Sequence, residues 1–124
     1  MQHKSLHESI FVLDSHCDTP IRLFLEGADI NNKSDQGHFD FVRMKEGGLN
    51  VAFFAIYTPN TIDDDTATRR AMQMIARTYD AVEASNGKVA VALDAQDARD
   101  NFEADSLFFW VWRMDFQYRM ILVY

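Results

Sequence analysis

The sequence predicts an α/β protein built on a parallel sheet. Two near-continuous apolar runs, residues 10–13 and 49–57, are typical of strands that are covered on both faces. Segments with helical periodicity lie between and after these runs, so strand and helix alternate along the chain, and this favours parallel strands with right-handed crossovers. Only two long strands are evident, which is too few for an independent barrel or doubly wound sheet.

The first strand leads into a polar segment that carries two candidate metal ligands. The chain continues as Asp14-Ser15-His16-Cys17-Asp18-Thr19-Pro20, and Pro20 ends the strand because it cannot donate to a ladder. Side chains two residues apart on an extended backbone point the same way, so His16 and Asp18 can direct an imidazole and a carboxylate to one point. Both groups are ordinary ligands of zinc-like ions. The alternative is a strand end without a metal.

The segment between the two strands predicts two short helices and a loop. Residues 21–25 form the first helix, which ends near Gly27. Residues 31–37 are rich in turn formers and predict a loop. Residues 39–46 predict the second helix, which the pair Gly47-Gly48 ends before the second strand.

A longer helix follows the second strand. Asp63-Asp64-Asp65-Thr66 supplies caps and negative charge at its start, which we favour over a cation site. An apolar stripe with i, i+4, i+7 spacing follows, at Ala67, Ala71, Met74, Ile75, Thr78 and Val82, and Asn86-Gly87 ends it. Residues 88–93 predict a short extended piece, and Asp94 predicts the cap of a last short helix.

Composition and charge exclude several classes of function. The 124 residues suffice for one domain, and a formal net charge of −7 argues against nucleic acid or an anionic membrane as a partner. Cys17 is the sole cysteine, which excludes an intrachain disulfide, and strand alternation predicts that it is a half-buried thiol. Residues 1–9 lack the apolar core of a secretory signal, so we expect a cytoplasmic location. His3 and His7 are expected in a frayed terminus, and His38 is expected to be solvated or capping.

Residues 107–124 differ from the rest of the chain. They read LFFWVWRMDFQYRMILVY and contain both tryptophans. The pattern fits neither a helical stripe nor a strand alternation, and its charged residues exclude a membrane span, which needs about 20 mostly uncharged residues. We therefore divide the chain into residues 1–106 and an aromatic tail, residues 107–124.

The motifs of residues 14–20 and 39–57 resemble the membrane dipeptidase (renal dipeptidase) family of zinc peptidases, especially its bacterial members. The resemblance rests on Asp14-Ser15-His16-Cys17-Asp18-Thr19-Pro20 and on the Gly47-Gly48 pair before an aromatic strand. It implies a (β/α)₈ TIM barrel of the metal-dependent hydrolase type, which needs about 250 residues. The chain would then be a truncated N-terminal portion of that barrel.

The resemblance also implies a reaction and the residues that support it. Family members hydrolyse the amide bond of dipeptides, some with a D-residue on the C-terminal side, by a metal-bound hydroxide between two zinc ions. His16 and Asp18 match the pair that binds one ion, whereas nothing in the chain matches the bridging glutamate or the two later histidines. We therefore expect at most one weakly bound zinc, no catalytic residue and no peptidase activity in the 124-residue chain.

The missing glutamate suggests a shifted reading frame. Reading one base earlier forces a glycine at the Trp110-Val111 junction and another at Met114-Asp115, with glutamate or alanine between them. The aromatic tail would then be out of frame. The alternative is a small non-catalytic interaction protein that uses this tail to bind a partner. Either way, exposed sheet edges and the aromatic tail favour self-association.

Overall fold

The structure, a computed structural model, describes residues 2–103, 107–116 and 119–121. Strands and helices alternate, as predicted. The helices are α1 Gln2–Ser9, α2 Thr19–Glu26, α3 Phe41–Glu46, α4 Asp64–Ala84 and α5 Ala95–Glu103. The strands are β1 Leu13–Cys17, β2 Val51–Tyr57, β3 Val89–Ala92, β4 Leu107–Phe116 and β5 Arg119–Ile121.

The strands form one sheet with the order β1-β2-β4-β3. These four strands are parallel, and β5 pairs antiparallel with β4. β1, β2 and β4 are therefore adjacent in the sheet, although β3 lies between β2 and β4 along the chain, and the short β3 pairs with the far side of β4. The carboxyl ends of the three neighbouring strands meet at one edge of the sheet, where Tyr57 and Asp115 are in register.

The core lies mainly between the sheet and α2, α3 and α4. Alternate residues of β2, namely Ala52, Phe54 and Ile56, are at most 1% exposed and belong to two apolar clusters with side chains of those helices. On the other face, Val51 packs with Ala98 of α5. The prediction that β2 is a buried strand is confirmed.

Helix α4 also follows its predicted pattern. Asp63 caps it by accepting a hydrogen bond from the Thr66 backbone N–H at 2.9 Å, so the acidic run is a helix start, as predicted. Ala67, Ala71, Met74 and Thr78 are buried. Ile75 packs against the cluster that contains Ala71 and Met74, and Val82 packs against the cluster that contains Phe54. None of the helices in the described residues combines the length and the apolarity that crossing a lipid bilayer requires.

The prediction for the first strand was wrong in position and in burial. β1 begins at Leu13, after most of the apolar run, and Ile10, Phe11 and Leu13 are 47%, 41% and 43% exposed. The reason is that β1 is the last strand on its side of the described sheet, with a partner on one side alone. Side chains of such a strand have strand neighbours on one side alone, so less of their surface is covered.

The tail also differs from its predicted pattern. The backbone of Leu107–Phe116 is a strand paired with β2 and β3, although the sequence shows no alternation there. A central parallel strand does not need alternation, because both of its faces can be covered. The division of the chain at residue 106 and the shifted reading frame stay predictions, and residues 104–106, 117–118 and 122–124 lie outside the described part.

Candidate metal centre

His16 and Asp18 lie together at the carboxyl end of β1. His16 is the next-to-last residue of the strand, and Asp18 is the N-cap residue of α2. Nε2 of His16 is 3.1 Å from Oδ1 of Asp18, and the two side chains are 46% and 62% exposed. The structure thus brings the two predicted ligands together in an open position. Their role in binding a metal stays a prediction.

An irregularity in β1 precedes this pair. Asp14 is in register with Ala52 and Cys17 with Phe54, so three steps along β1 lie opposite two steps along β2. The extra residue defines a β-bulge, a feature that often re-aims a side chain beside an active site. Oδ1 of Asp14 accepts a hydrogen bond from the backbone N–H of His16 at 3.0 Å within the bulge. Sequence analysis missed this contact.

The carboxylate of Asp18 is not used to cap α2. No hydrogen bond joins it to the first backbone N–H groups of the helix, although Asp18 is the N-cap residue. Pro20 lies in the first turn and has no N–H that needs an acceptor. The oxygens of Asp18 therefore remain available to His16 and to a ligand.

Cys17 points away from the candidate ligands, as predicted. Its side chain is half-buried against the core that includes Phe54. Sγ lies 3.2 Å from Oγ1 of Thr19. Burial raises the pKa of the Cys17 thiol above its ordinary value and outweighs the hydrogen bond to Thr19, which lowers it. A protonated thiol directed into the core is a poor metal ligand, because the thiolate is the form that binds.

The two donors fit zinc in kind but supply only part of a site. Zinc takes imidazole nitrogen and carboxylate oxygen, and a catalytic zinc usually has three protein ligands and a water. Within the part of the chain that the structure describes, no three His, Cys, Asp or Glu side chains lie close enough to hold a metal together. His16 and Asp18 thus suit a site that other residues complete.

His7 and His38 lie elsewhere, and the side chain of His3 is outside the described part of the structure. His38 is exposed in the loop before α3, and Asp40 rather than His38 caps that helix. Nε2 of His7 is 2.8 Å from the carbonyl oxygen of Gly47, so the expectation of a frayed terminus was wrong for α1. The close packing of His7 also explains Gly48: its φ is +71°, and a Cβ there would lie 2.6 Å from Nε2 of His7. The glycine pair is structural, as predicted.

A second carboxylate at a helix start has a different environment. Asp40 is 1% exposed and accepts hydrogen bonds from the backbone N–H of Arg43 at 2.7 Å and from its Nε at 2.6 Å. Burial alone would raise the pKa of Asp40, but these hydrogen bonds and the charge of Arg43 outweigh it and hold the pKa below its ordinary value. Asp40 is therefore an ionised structural residue.

A surface groove of about 610 Å³ lies between α3 and the C-terminal end of α4, and Lys45, Asn86 and Lys88 are among its lining residues. Neither His16 nor Asp18 lines it. The candidate metal centre is thus an open edge of the sheet and is separate from this groove.

Comparison with known proteins gives a family and a fold. The model of the membrane dipeptidase family, peptidase family M19, matches residues 1–111. No functionally curated protein sequence matches the chain significantly.

Several solved structures have a similar fold, among them two metallopeptidases and a probable dipeptidase. A metallopeptidase of family M19 called dipeptidase AC is 29% identical over 83% of this chain and 34% of its own, with a TM-score of 0.74. A metallopeptidase from Rhodobacter sphaeroides, bound to a phosphinate mimic of L-Ala-D-Ala, is 26% identical over 81% of this chain and 36% of its own, with a TM-score of 0.71.

The third similar structure, the probable dipeptidase PvdM from Pseudomonas aeruginosa, is 22% identical over 89% of this chain and 30% of its own, with a TM-score of 0.75, and supports the fold alone. The chain thus spans about a third of the length of these proteins. This confirms the predicted fold class, the N-terminal part of a TIM-barrel metallohydrolase. The chain belongs to the membrane dipeptidase family, peptidase family M19.

Proposed function

We propose that this chain supplies the N-terminal part of a zinc-dependent dipeptidase, in which His16 and Asp18 hold one metal ion. The observation that carries the proposal is the approach of His16 Nε2 and Asp18 Oδ1 to 3.1 Å at the carboxyl end of β1. Active sites of (β/α)₈ barrels lie at this end of the strands. The match of residues 1–111 to a metallopeptidase family supports the same assignment.

The two side chains have complementary roles in this proposal. In their contact Nε2 of His16 donates to the carboxylate of Asp18, which can only accept; a zinc ion would take the place of this proton at Nε2, and the negative charge of Asp18 favours a cation at the same point. Both are exposed, so a substrate can reach them without an opening motion. Zinc, when bound, would polarise the carbonyl of the scissile amide and lower the pKa of a bound water to about 7.

The substrate class that we propose is a dipeptide. The Rhodobacter sphaeroides relative binds a mimic of L-Ala-D-Ala, and it is similar to this chain over 81% of the chain's length. The 124-residue chain alone should not hydrolyse dipeptides, because the described residues offer two ligands and no third. Release of alanine from L-Ala-D-Ala by the pure chain with added zinc would contradict this expectation.

Zinc binding by the chain tests the role of His16. We expect weak binding of one Zn²⁺, measured by competition with a chromogenic chelator, and a loss of about tenfold or more in affinity for His16→Ala. His38→Ala is the matched control, since His38 is exposed in a loop outside the site. Equal zinc affinity of the His16→Ala variant and the unmodified chain would refute the proposed ligand.

The coding DNA tests the proposed relation of residues 107–124 to the barrel. If the frame one base earlier encodes Gly-x-Glu-x-Gly in place of Trp110 to Asp115 and continues to later histidines, the tail is out of frame, as we propose. If no such frame exists, the tail is authentic, and the alternative of a non-catalytic interaction protein gains support.

We also propose that the chain self-associates. Leu13 in β1 and Tyr57 at the end of β2 are 43% and 47% exposed, and β1 has a free edge in the described sheet. An apolar edge strand is a template for pairing with another chain. Light scattering that gives the mass of a monomer at all concentrations would contradict this proposal.

A further inference from the structure

We infer that Asp14 is a positioning residue of the candidate metal centre, which holds the bulge that presents His16 on the open face of the sheet. The inference rests on the proposed function of His16 and Asp18 as metal ligands. It adds a third residue, which does not touch the metal and acts through the backbone of its neighbour.

The first observation is the place where the strand loses its alternation. Leu13 and Ser15 are exposed and Asp14 between them is half-buried, so a regular strand would next turn His16 to the covered side and Cys17 to the open side. The opposite is found: His16 is exposed, and Cys17 packs against the core. The change falls within the register shift between Asp14 and Cys17. The bulge therefore decides whether an imidazole or a thiol faces the site.

The second observation is the contact that stabilises the bulge. A bulged residue loses its regular ladder partner. Here the backbone N–H of His16 donates to Oδ1 of Asp14 at 3.0 Å, which replaces a ladder acceptor by a side chain of the same strand. Asp is well suited to such a contact because its short side chain reaches the N–H two residues on.

The third observation concerns Asp18, whose side chain lies on the same side as that of His16. Asp18 lies two residues after His16 and just outside β1, and its Oδ1 is 3.1 Å from Nε2 of His16. Once the bulge turns His16 to the open face, Asp18 is directed to the same side. Without the Asp14 contact, the strand could revert to a regular register and separate the imidazole from the open face.

Three substitutions at position 14, to Asn, Glu and Ala, separate the effect of the hydrogen bond from that of the charge. Asp14→Asn keeps an oxygen at the Oδ1 position and removes the charge, whereas Asp14→Glu keeps the charge and moves the acceptor by one methylene group. We expect Asp14→Asn to bind Zn²⁺ within about twofold of the unmodified chain. We expect Asp14→Glu and Asp14→Ala to bind about tenfold more weakly, as is usual when a partner that orients a ligand is lost.

The matched control is Asp29→Ala. Oδ1 of Asp29 accepts a hydrogen bond from the backbone N–H of Asn31 at 2.8 Å, the same contact over two residues in a loop away from the site. This variant should keep the zinc affinity of the unmodified chain. The inference is overturned if Asp14→Ala binds zinc normally, or if Asp14→Asn loses as much affinity as Asp14→Glu.

Amide hydrogen exchange of His16 in the metal-free chain provides a readout that does not depend on zinc. Exchange should be faster in Asp14→Ala and Asp14→Glu than in Asp14→Asn and the unmodified chain. If the unmodified chain binds no zinc, the proposed function of His16 fails, while the exchange rates still decide whether Asp14 holds the bulge. Equal exchange of the His16 amide in all four proteins would overturn the inference.

Discussion

Asp18 and Asp40 occupy the same position in two successive helices, but their carboxylates have opposite surroundings. Each is an N-cap residue. The side chain of Asp40 is 1% exposed and accepts hydrogen bonds from both the backbone and the guanidinium of Arg43. The side chain of Asp18 is 62% exposed and makes no capping bond, and its recorded partner is the ring of His16.

The difference separates a structural carboxylate from a candidate ligand. A capping aspartate satisfies N–H groups that the helix leaves without partners, and this contribution stabilises the fold. An N-cap aspartate that does not cap contributes little to its helix. The orientation of Asp18 toward His16 is therefore not explained by helix capping, and the metal site that we propose would account for it.

The largest effect that we expect is the loss of stability in Asp40→Ala. Removing a buried, paired carboxylate leaves Arg43 and two backbone N–H groups without their acceptor, which should cost about 3 kcal/mol in the free energy of unfolding. Urea unfolding of the full chain measures this loss. Asp63→Ala is the control, because Asp63 caps α4 from an exposed position. Equal losses in the two variants would mean that burial and Arg43 add nothing to the cap.

The second effect is a loss of stability at acidic pH that is due to Asp40. The pKa of Asp40 is lowered in the folded state because the hydrogen bonds from Arg43 outweigh the effect of burial. Its contribution is therefore fully present above the pKa of an unfolded aspartate, about 3.9, and is lost as the pH falls through the lower folded value. The difference in unfolding free energy between the unmodified chain and Asp40→Asn should shrink from pH 5 to pH 2. A difference that stays constant over this range would contradict the assignment.

The regular elements could be predicted because their patterns are local. The apolar run of β2 and the stripe from Ala67 to Thr78 in α4 each carry a period that a single sequence shows directly. The convergence of His16 and Asp18 was predicted from their spacing, but the structure reaches it by another route, with a bulge before His16 and with Asp18 outside the strand as the N-cap residue of α2. The patterns of β2 and α4 depend on neighbours within a few residues along the chain.

The features that the sequence did not predict depend on contacts between strands, which hydrophobic periodicity does not show. The exposure of Phe11 and Leu13 follows from the place of β1 at the end of the described sheet. The bulge after Asp14 is defined only against the register of β2. The sequence of β4 shows no alternation, and its place is defined by the pairing of its backbone with β2 and β3. Each of these features is set by which strands become neighbours.

The smallest effect on stability, and the sharpest test of the comparison, is expected for Asp18→Ala. Because Asp18 is exposed and makes no capping bond, its loss should change the free energy of unfolding by no more than about 0.5 kcal/mol. The same variant should weaken zinc binding about tenfold or more, as measured by chelator competition. Asp40→Asn is the opposite control, because it should lose stability and keep its zinc affinity. If Asp18→Ala unfolds as readily as Asp40→Ala, Asp18 has a structural role, and its approach to His16 no longer needs a metal to explain it.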